Sequence, residues 1–377
     1  MLTYVSIYLY AALMTIMDTI NSKKYIQNIL TITFIVILII ISGTRYYLGG
    51  TDYYVYKNVF DSIPKLNEFF INYKVLDFNY TTYGMEEGYL FLNSLIKTLG
   101  FNFFGFTLIH SIVFYTLLFS NVKKYTNKIG IVLVIFLYKL FFYNTFISLR
   151  QSLTIAIFWY LIKYINEKQL IKYFIGCFIC MKIHTASIVL FPIYFINKIK
   201  ITKKMIIRLN MIFIPCILID MVGINVFSFF EPILKYIEDP TVQSKASGIV
   251  SNTGGGINLL HTLEYFIIMF LVIKNYEKVM KHDNKYNIII KLFLILLPIF
   301  TLFRGVEIIT RVKDYFIITY GILLGYIFEV KCKKDILKFI IIIYYCGLTF
   351  LRFILLFDNG ALMPYESYIF KGLSIFR

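Results

Sequence analysis

Long apolar runs decide most of what this chain can fold into. Residues 29–42, 130–138, 205–219 and 339–345 run with almost no charge, and 59% of the 377 residues are hydrophobic while only 16% are charged. Soluble chains carry about 25% charge. A membrane helix needs roughly 20 apolar residues, so about a dozen fit in this length. A barrel would alternate over ~10-residue segments. Continuous runs call for helices, which satisfy their own backbone polar groups inside lipid. The expected fold is an all-α polytopic membrane protein, a single integral-membrane domain over residues 1–377. Its spans fall near 2–17, 26–43, 89–119, 129–146, 148–163, 171–183, 185–197, 205–221, 258–273, 287–303, 312–328 and 336–355. The third is too long for one crossing. It divides into a re-entrant or interfacial piece at 89–98 and a true span at 101–119.

Charge orients these spans. The loops at 18–28, 120–128, 163–172, 197–208, 274–291 and 329–338 hold 22 Lys and Arg against 6 Asp and Glu. The opposite loops and the tail hold 14 against 15, and Lys97 and Lys139 lie inside spans. The basic face is cytoplasmic, so both termini face outward. The net charge of +17 is thereby explained by topology and by anionic lipid head groups, with no nucleic acid needed. Arginine departs from this pattern. Arg208 sits among the inner lysines, while Arg45, Arg150, Arg304, Arg311, Arg352 and Arg377 all fall on the outer side. Arg352 and Arg377 have no motif around them and read as ordinary tail charges. The other four are candidates for a ligand.

The long outer loops are 44–88, rich in Tyr, Asn, Thr and acids, and 222–257, which ends in the lid-like SNTGGG. The first run has no basic flank and no small-residue cleavage site, so it does not read as a signal peptide. Cys177 and Cys180 have CxxC spacing but lie in GCFICM, where small buried packing residues are expected rather than redox chemistry. No fixed-period repeat and no GxxxxGK[ST] appears.

Five outer constellations carry chemistry. In R-Y-Y-L-G-G-T-D-Y-Y-V-Y (45–56), Arg45 offers a planar fork for a phosphate, and Gly49 and Gly50 let backbone N–H groups approach an anion. Asp52 follows. The plainer reading is a tight turn in an interfacial aromatic belt. In M-E-E-G-Y (85–89), Glu86 or Glu87 either caps the next helix or binds sugar hydroxyls and accepts a proton. In S-L-R-Q-S (148–152), Arg150 and Gln151 begin a span, where a charge is costly and functional by default. In K-I-H-T-A-S (182–187), His184 suits proton transfer near neutral pH, or is simply a hydrogen-bonded interfacial His. In R-G-V-E-I-I-T-R (304–311), Arg304, Glu307 and Arg311 share a helix face, as anion ligands or as a structural clamp. No HExxH or DxD occurs, so no metal or cofactor is expected. The remaining route to a metal is Mg²⁺ between Asp52 and a substrate pyrophosphate.

Taken in order, R-x₃-G-G-T-D-Y-x₂-Y, E-x-G-Y, LRQSLTIA, K-x-H-T-A-S, the late arginine segment and the closing P-Y-E-S-Y (364–368) resemble the EpsG family over nearly the whole chain. The resemblance implies a Wzy-type polysaccharide polymerase of a bacterial inner membrane. Such an enzyme lengthens O-antigen, capsule or exopolysaccharide chains, taking donor and acceptor repeat units linked to undecaprenyl diphosphate, with a chain-length regulator as a further partner. It implies an inverting glycosyl transfer driven by the sugar–diphosphate bond. Arg150, Arg304 and Arg311, assisted by Gln151 and Glu307, then hold the leaving diphosphate, and Arg45 holds that group or the acceptor lipid. His184, Asp52 or Glu86 supplies the base. The alternatives are an O-antigen ligase or another lipid-phosphate-sugar glycosyltransferase, a flippase or transporter for the lipid-linked oligosaccharide, and a membrane O-acyltransferase.

Overall fold

Charge segregation and apolar runs both demand helices that enter and leave at two ends, and the computed structural model is built that way. It describes residues 1–19, 23–70, 85–222, 257–282, 284–304, 307–327, 333–358 and 360–376. Among these, regular structure is helical; the only β pairing consists of the isolated bridges Arg45–Ser367 and Phe101–Phe376. The helices are α1 (Leu2–Thr19), α2 (Lys24–Gly43), α3 (Gly50–Ser62), α4 (Leu66–Phe69), α5 (Glu87–Thr98), α6 (Phe103–Val122), α7 (Ile129–Phe136), α8 (Leu149–Asn166), α9 (Leu170–Ile183), α10 (Lys203–Met221), α11 (Leu259–Lys274), α12 (Tyr276–His282), α13 (Asn284–Phe300), α14 (Glu307–Val312), α15 (Ile318–Ile327) and α16 (Lys333–Phe357). Lys24–Gly43, Phe103–Val122 and Leu337–Leu356 are long and apolar enough to cross a membrane; Leu2–Asp18, Ile129–Phe141, Thr185–Lys198 and Asn287–Phe300 are shorter apolar helices.

The chain divides into two compact units, Met1–Tyr194 with Glu329–Arg377, and Phe195–Phe328. In the first, α1 packs on α7, α2 on α6, α6 on α8, α8 on α9, and α16 on α1. The long apolar segment breaks where expected. α5 stops at Thr98, Gly100 takes φ +91°, and Asn102 restarts the helix by accepting from the N–H groups of Phe104 and Gly105. An Asn at that position satisfies donors a helix start leaves orphaned.

Polar contacts mark the two ends of this unit. At one, Asp18 Oδ2 accepts from Gly130 N at 2.8 Å, and Lys123 Nζ donates to Asn28 Oδ1 at 2.6 Å. At the other, the closing tail is laced to the loops. Tyr4 Oη donates to the Leu362 carbonyl, Tyr46 N to Glu366 O, Tyr368 N to Thr44 O, and Asn102 Nδ2 to Ser374 O. Residues near both termini therefore share one end with Arg45. Lys97 is explained by the same geometry. Its ammonium is buried against the carbonyls of Phe60, Asp61 and Ile63, the C-terminus of α3, where a cation meets the negative end of the helix dipole. Cys177 and Cys180 are free thiols, fully buried.

In the second unit α11, α13 and α15 pack against one another, and α10 lies on α11 and α13. Thr262 Oγ1 donates to Phe300 O at 3.2 Å, and Lys291 Nζ to Asn197 O at 3.0 Å. Of the two long loops, residues 71–84 and 223–256 lie outside the described residues.

Candidate functional site

Glu86 is the centre around which the sequence motifs of the first unit gather. It occupies the N-cap position of α5 with extended backbone, φ −76° and ψ 146°, but its side chain makes no cap hydrogen bond. The carboxylate turns instead toward two other motifs. Oε2 accepts from Arg150 Nη1 in a short charge-assisted bond. Oε1 accepts from Thr185 N at 2.8 Å and Thr185 Oγ1 at 3.1 Å, and lies 3.4 Å from His184 Nδ1. The two partners of the ion pair are 15% and 20% exposed, so the pair is largely withdrawn from water.

This convergence has a local cause. Gly88 lies so close to the end of α9 that an added Cβ would stand 2.7 Å from the Lys182 carbonyl oxygen. Only glycine permits that approach. Glu87 then meets Lys182 Nζ at 2.7 Å on the exposed side, while Glu86 takes the inner partners. Tyr89 anchors the segment in an aromatic cluster with Tyr53, Tyr56, Phe60, Phe103, Phe106 and Leu149. The tyrosines at 53 and 56 are thus core residues, not an interfacial belt; Tyr54 remains exposed.

Electrostatics follow from the packing. Burial works against the charge of Glu86, but His184, the Arg150 guanidinium and the Thr185 N–H outweigh it and hold the carboxyl at about 2. Burial raises the Tyr56 phenol, and Arg150 beside it pulls the other way. Both ring nitrogens of His184 are buried and neither makes a hydrogen bond, Nδ1 standing 3.4 Å from Glu86 Oε1 as an ion-pair contact. A buried polar group left unsatisfied calls for a ligand, a water or a catalytic role.

Arg150 leaves from the first turn of α8, which follows two π-helical turns, Leu137–Phe141 and Tyr143–Ile147. Such distortions gather at functional sites. Gln151 beside it is buried and accepts from Ser148 Oγ at 3.4 Å. His110 braces the same turn. Its Nε2 lies 2.9 Å from the Leu149 carbonyl and 3.2 Å from Ser152 Oγ.

Arg45 is placed differently. It is 0% exposed, and its guanidinium donates to the carbonyls of Leu48, Ser42 and Phe146, between the rings of Tyr53 and Phe146. Gly49 has φ +136°, a Cβ there would meet the Phe146 oxygen at 2.3 Å, and its N–H is used by Ala361 O at 2.8 Å. This Arg–Gly segment locks α3 to the entrance of α8. Asp52 is exposed in the first turn of α3, one turn before Tyr56.

The remaining candidates belong to the second unit. Arg304 Nη1 donates to Ile257 O at 3.1 Å, and Ile257 N to Arg304 O at 2.8 Å. Arg311 is exposed near the end of α14. Glu307 begins α14, and its side chain lies outside the described residues. Asp314 is buried and pairs with Lys313 at 3.0 Å. Among the described residues no three His, Cys, Asp or Glu side chains gather as a metal site. Sequence reasoning missed Thr185, Tyr56 and the Glu87–Lys182 pair as members of the cluster. The available signal was complementarity, two acids in E-E-G-Y against a base and a histidine in K-I-H-T.

The model of the EpsG family matches residues 28–367, nearly the whole chain. No curated protein and no solved structure matches it.

Proposed function

The chain belongs to the EpsG family of Wzy-type polysaccharide polymerases, and from that premise we propose that it joins undecaprenyl-diphosphate-linked oligosaccharide repeat units at the outer face of a bacterial inner membrane. In this reading it spans the membrane about twelve times with both termini outward. The observation that carries the mechanism is the convergence of Arg150, His184 and Thr185 on Glu86.

The reaction displaces a diphosphate. An acceptor sugar hydroxyl attacks the anomeric carbon of the donor glycan. The new C–O bond forms as the bond to the diphosphate oxygen breaks, with inversion, and the bonding pair leaves on undecaprenyl diphosphate. The hydroxyl proton needs a base. Glu86, held ionised by His184, Arg150 and the Thr185 N–H, is a weak base and a good orienting group. Its charge beside Nδ1 favours the tautomer that leaves Nε2 of His184 as the proton acceptor. Arg150 stabilises charge growing on the leaving group. Gln151 supports Arg150 from the same turn of α8, and Arg304 and Arg311, with Glu307, are proposed as diphosphate ligands of the second unit. Arg45, with its donors engaged, acts by fixing the entrance of α8. Asp52 stands at the exposed rim as an acceptor-binding carboxylate. A chain-length regulator is the protein partner of this reading.

The deciding experiment is reconstitution of purified protein with lipid-linked repeat units, no nucleotide and EDTA present. A polymer ladder is expected. Its absence, with repeats intact and protein folded, removes the polymerase reading. Extension of a lipid A core instead of the undecaprenyl-linked chain would mark a ligase. His184→Ala should lower turnover by about 10²–10⁴, with single repeats accumulating; a normal ladder from that variant removes His184 as the base.

A further inference from the structure

We propose that the second unit carries its own sugar-hydroxyl subsite, formed by His261, Glu264, Tyr265 and Tyr320, which takes the glycan part of a lipid-linked repeat. The inference rests on the polymerase reading for the source of the saccharide. The residues come from α11 and α15, inside the packing of α11, α13 and α15. Glu264 is only 11% exposed, and its Oε2 lies 3.2 Å from Nδ1 of His261, one turn earlier and 33% exposed. The pair therefore runs from the interior toward the surface. A carboxylate set into an apolar helix is expensive and marks function by default.

A second observation is independent of that pair. Tyr265 and Tyr320 are 0% and 1% exposed, and neither hydroxyl has a hydrogen-bond partner. Glu264 precedes Tyr265 on α11, and Tyr265 and Tyr320 share the Phe293 ring as a neighbour. Ring packing, not hydrogen bonding, holds these phenols. Tyr265 stacks on Phe300 at 5.5 Å and lies 5.0 Å from Phe293, and Tyr320 meets Phe293 edge-on at 5.5 Å. The rings are fixed while their hydroxyls await a polar guest.

The donor set selects the guest. Glu264, His261 and the two phenols offer acceptors and donors that suit neutral hydroxyls. A saccharide offers hydroxyls that donate to a carboxylate and exchange hydrogen bonds with phenols, and C–H faces that suit aromatic rings. The paired hydrogen bonds between Ile257 and Arg304 put a cation beside the start of the same helix, where the anionic end of such a substrate has a counter-charge.

Tyr320→Phe and Tyr265→Phe test this cleanly, because each removes a hydroxyl that bonds to nothing in the protein. Both variants should keep the wild-type melting temperature. Each should raise KM for isolated lipid-linked repeats about five- to tenfold, with kcat within about twofold. Oligosaccharide released from those repeats by mild acid should inhibit the wild type and lose potency in both variants, since the subsite reads glycan and not lipid. Unchanged KM in both variants, or no inhibition of the wild type by the released glycan, overturns the proposal and leaves the hydroxyls to bound water. A wild-type protein that makes no polymer sinks the polymerase reading instead. Equilibrium dialysis of the released glycan against wild type and Tyr320→Phe then decides the subsite alone, tighter binding to the wild type upholding it and equal binding refuting it.

Discussion

At the scale of single residues, the chemistry turns on a carboxylate that cannot easily be protonated. The Glu86 carboxyl lies at about 2 against an ordinary 4.5. A folded-state pKa below the unfolded one stabilises the fold fully above the unfolded value and loses that contribution as pH falls through the folded value. Glu86 therefore contributes fully above about pH 4.5 and progressively less toward pH 2. Glu86→Gln should cost about 2–3 kcal/mol near neutrality, less than for a fully buried pair because both partners keep some exposure. The difference in stability between variant and wild type should shrink as pH drops below about 4.5. Thermal unfolding of both proteins across that range checks it; a constant difference would mean the carboxyl is not held below its ordinary value by its partners. Arg150→Lys keeps the charge and loses the fork. Turnover should fall about 10–100-fold with little change in melting temperature. A Lys variant with wild-type turnover would show that guanidinium geometry is immaterial.

At the scale of elements, short motifs act by bringing helices together, and this is where sequence reading reached its limit. The halt between α5 and α6 was legible from length alone, since the apolar segment is too long for one span; that Gly100 and Asn102 make the break is seen only in the structure. The docking of E-E-G-Y on K-I-H-T was not, since the residues are 99 apart at the Glu86–Thr185 contact and no local signal reports on it. Arg45 and Gly49–Gly50 look from sequence like an anion cradle. The Arg45 guanidinium and the Gly49 N–H are used internally because backbone carbonyls of Leu48, Ser42, Phe146 and Ala361 reach those donors first. Gly88 gives the sharpest element-scale test. In Gly88→Ala the new methyl must move a backbone carbonyl 2.7 Å away, so α5 and the end of α9 have to part. That shift separates Glu86 from Thr185 and His184 without touching either. Polymer formation should fall at least tenfold, in keeping with the steep cost of misplacing groups by about 1 Å. Normal activity in this variant would show that the docking is not needed for chemistry.

At the scale of the whole molecule, the charge distribution already contained the pairing of ends. Loops assigned to the lysine-rich side meet one another, as Asp18 meets Gly130 and Lys123 meets Asn28. Segments assigned to the other side meet likewise, as Tyr4 meets Leu362 and Asn102 meets Ser374. Apolar length and charge report separately on the same passes, which is why their agreement in the first unit is informative. Which end faces outward is a further step, and it is testable. In a chain with its native cysteines replaced, Asn58→Cys and Ser374→Cys lie on exposed positions at the Arg45 end, and Lys124→Cys lies exposed at the opposite end. A membrane-impermeant maleimide added to intact cells, with any outer membrane made permeable, should label the first two and spare the third until the inner membrane is opened. Labelling of Lys124→Cys alone would invert the protein. The Glu86 cluster would then face the cytoplasm, where repeat units are assembled but not polymerised in this reading, and the polymerase mechanism would fail with the topology.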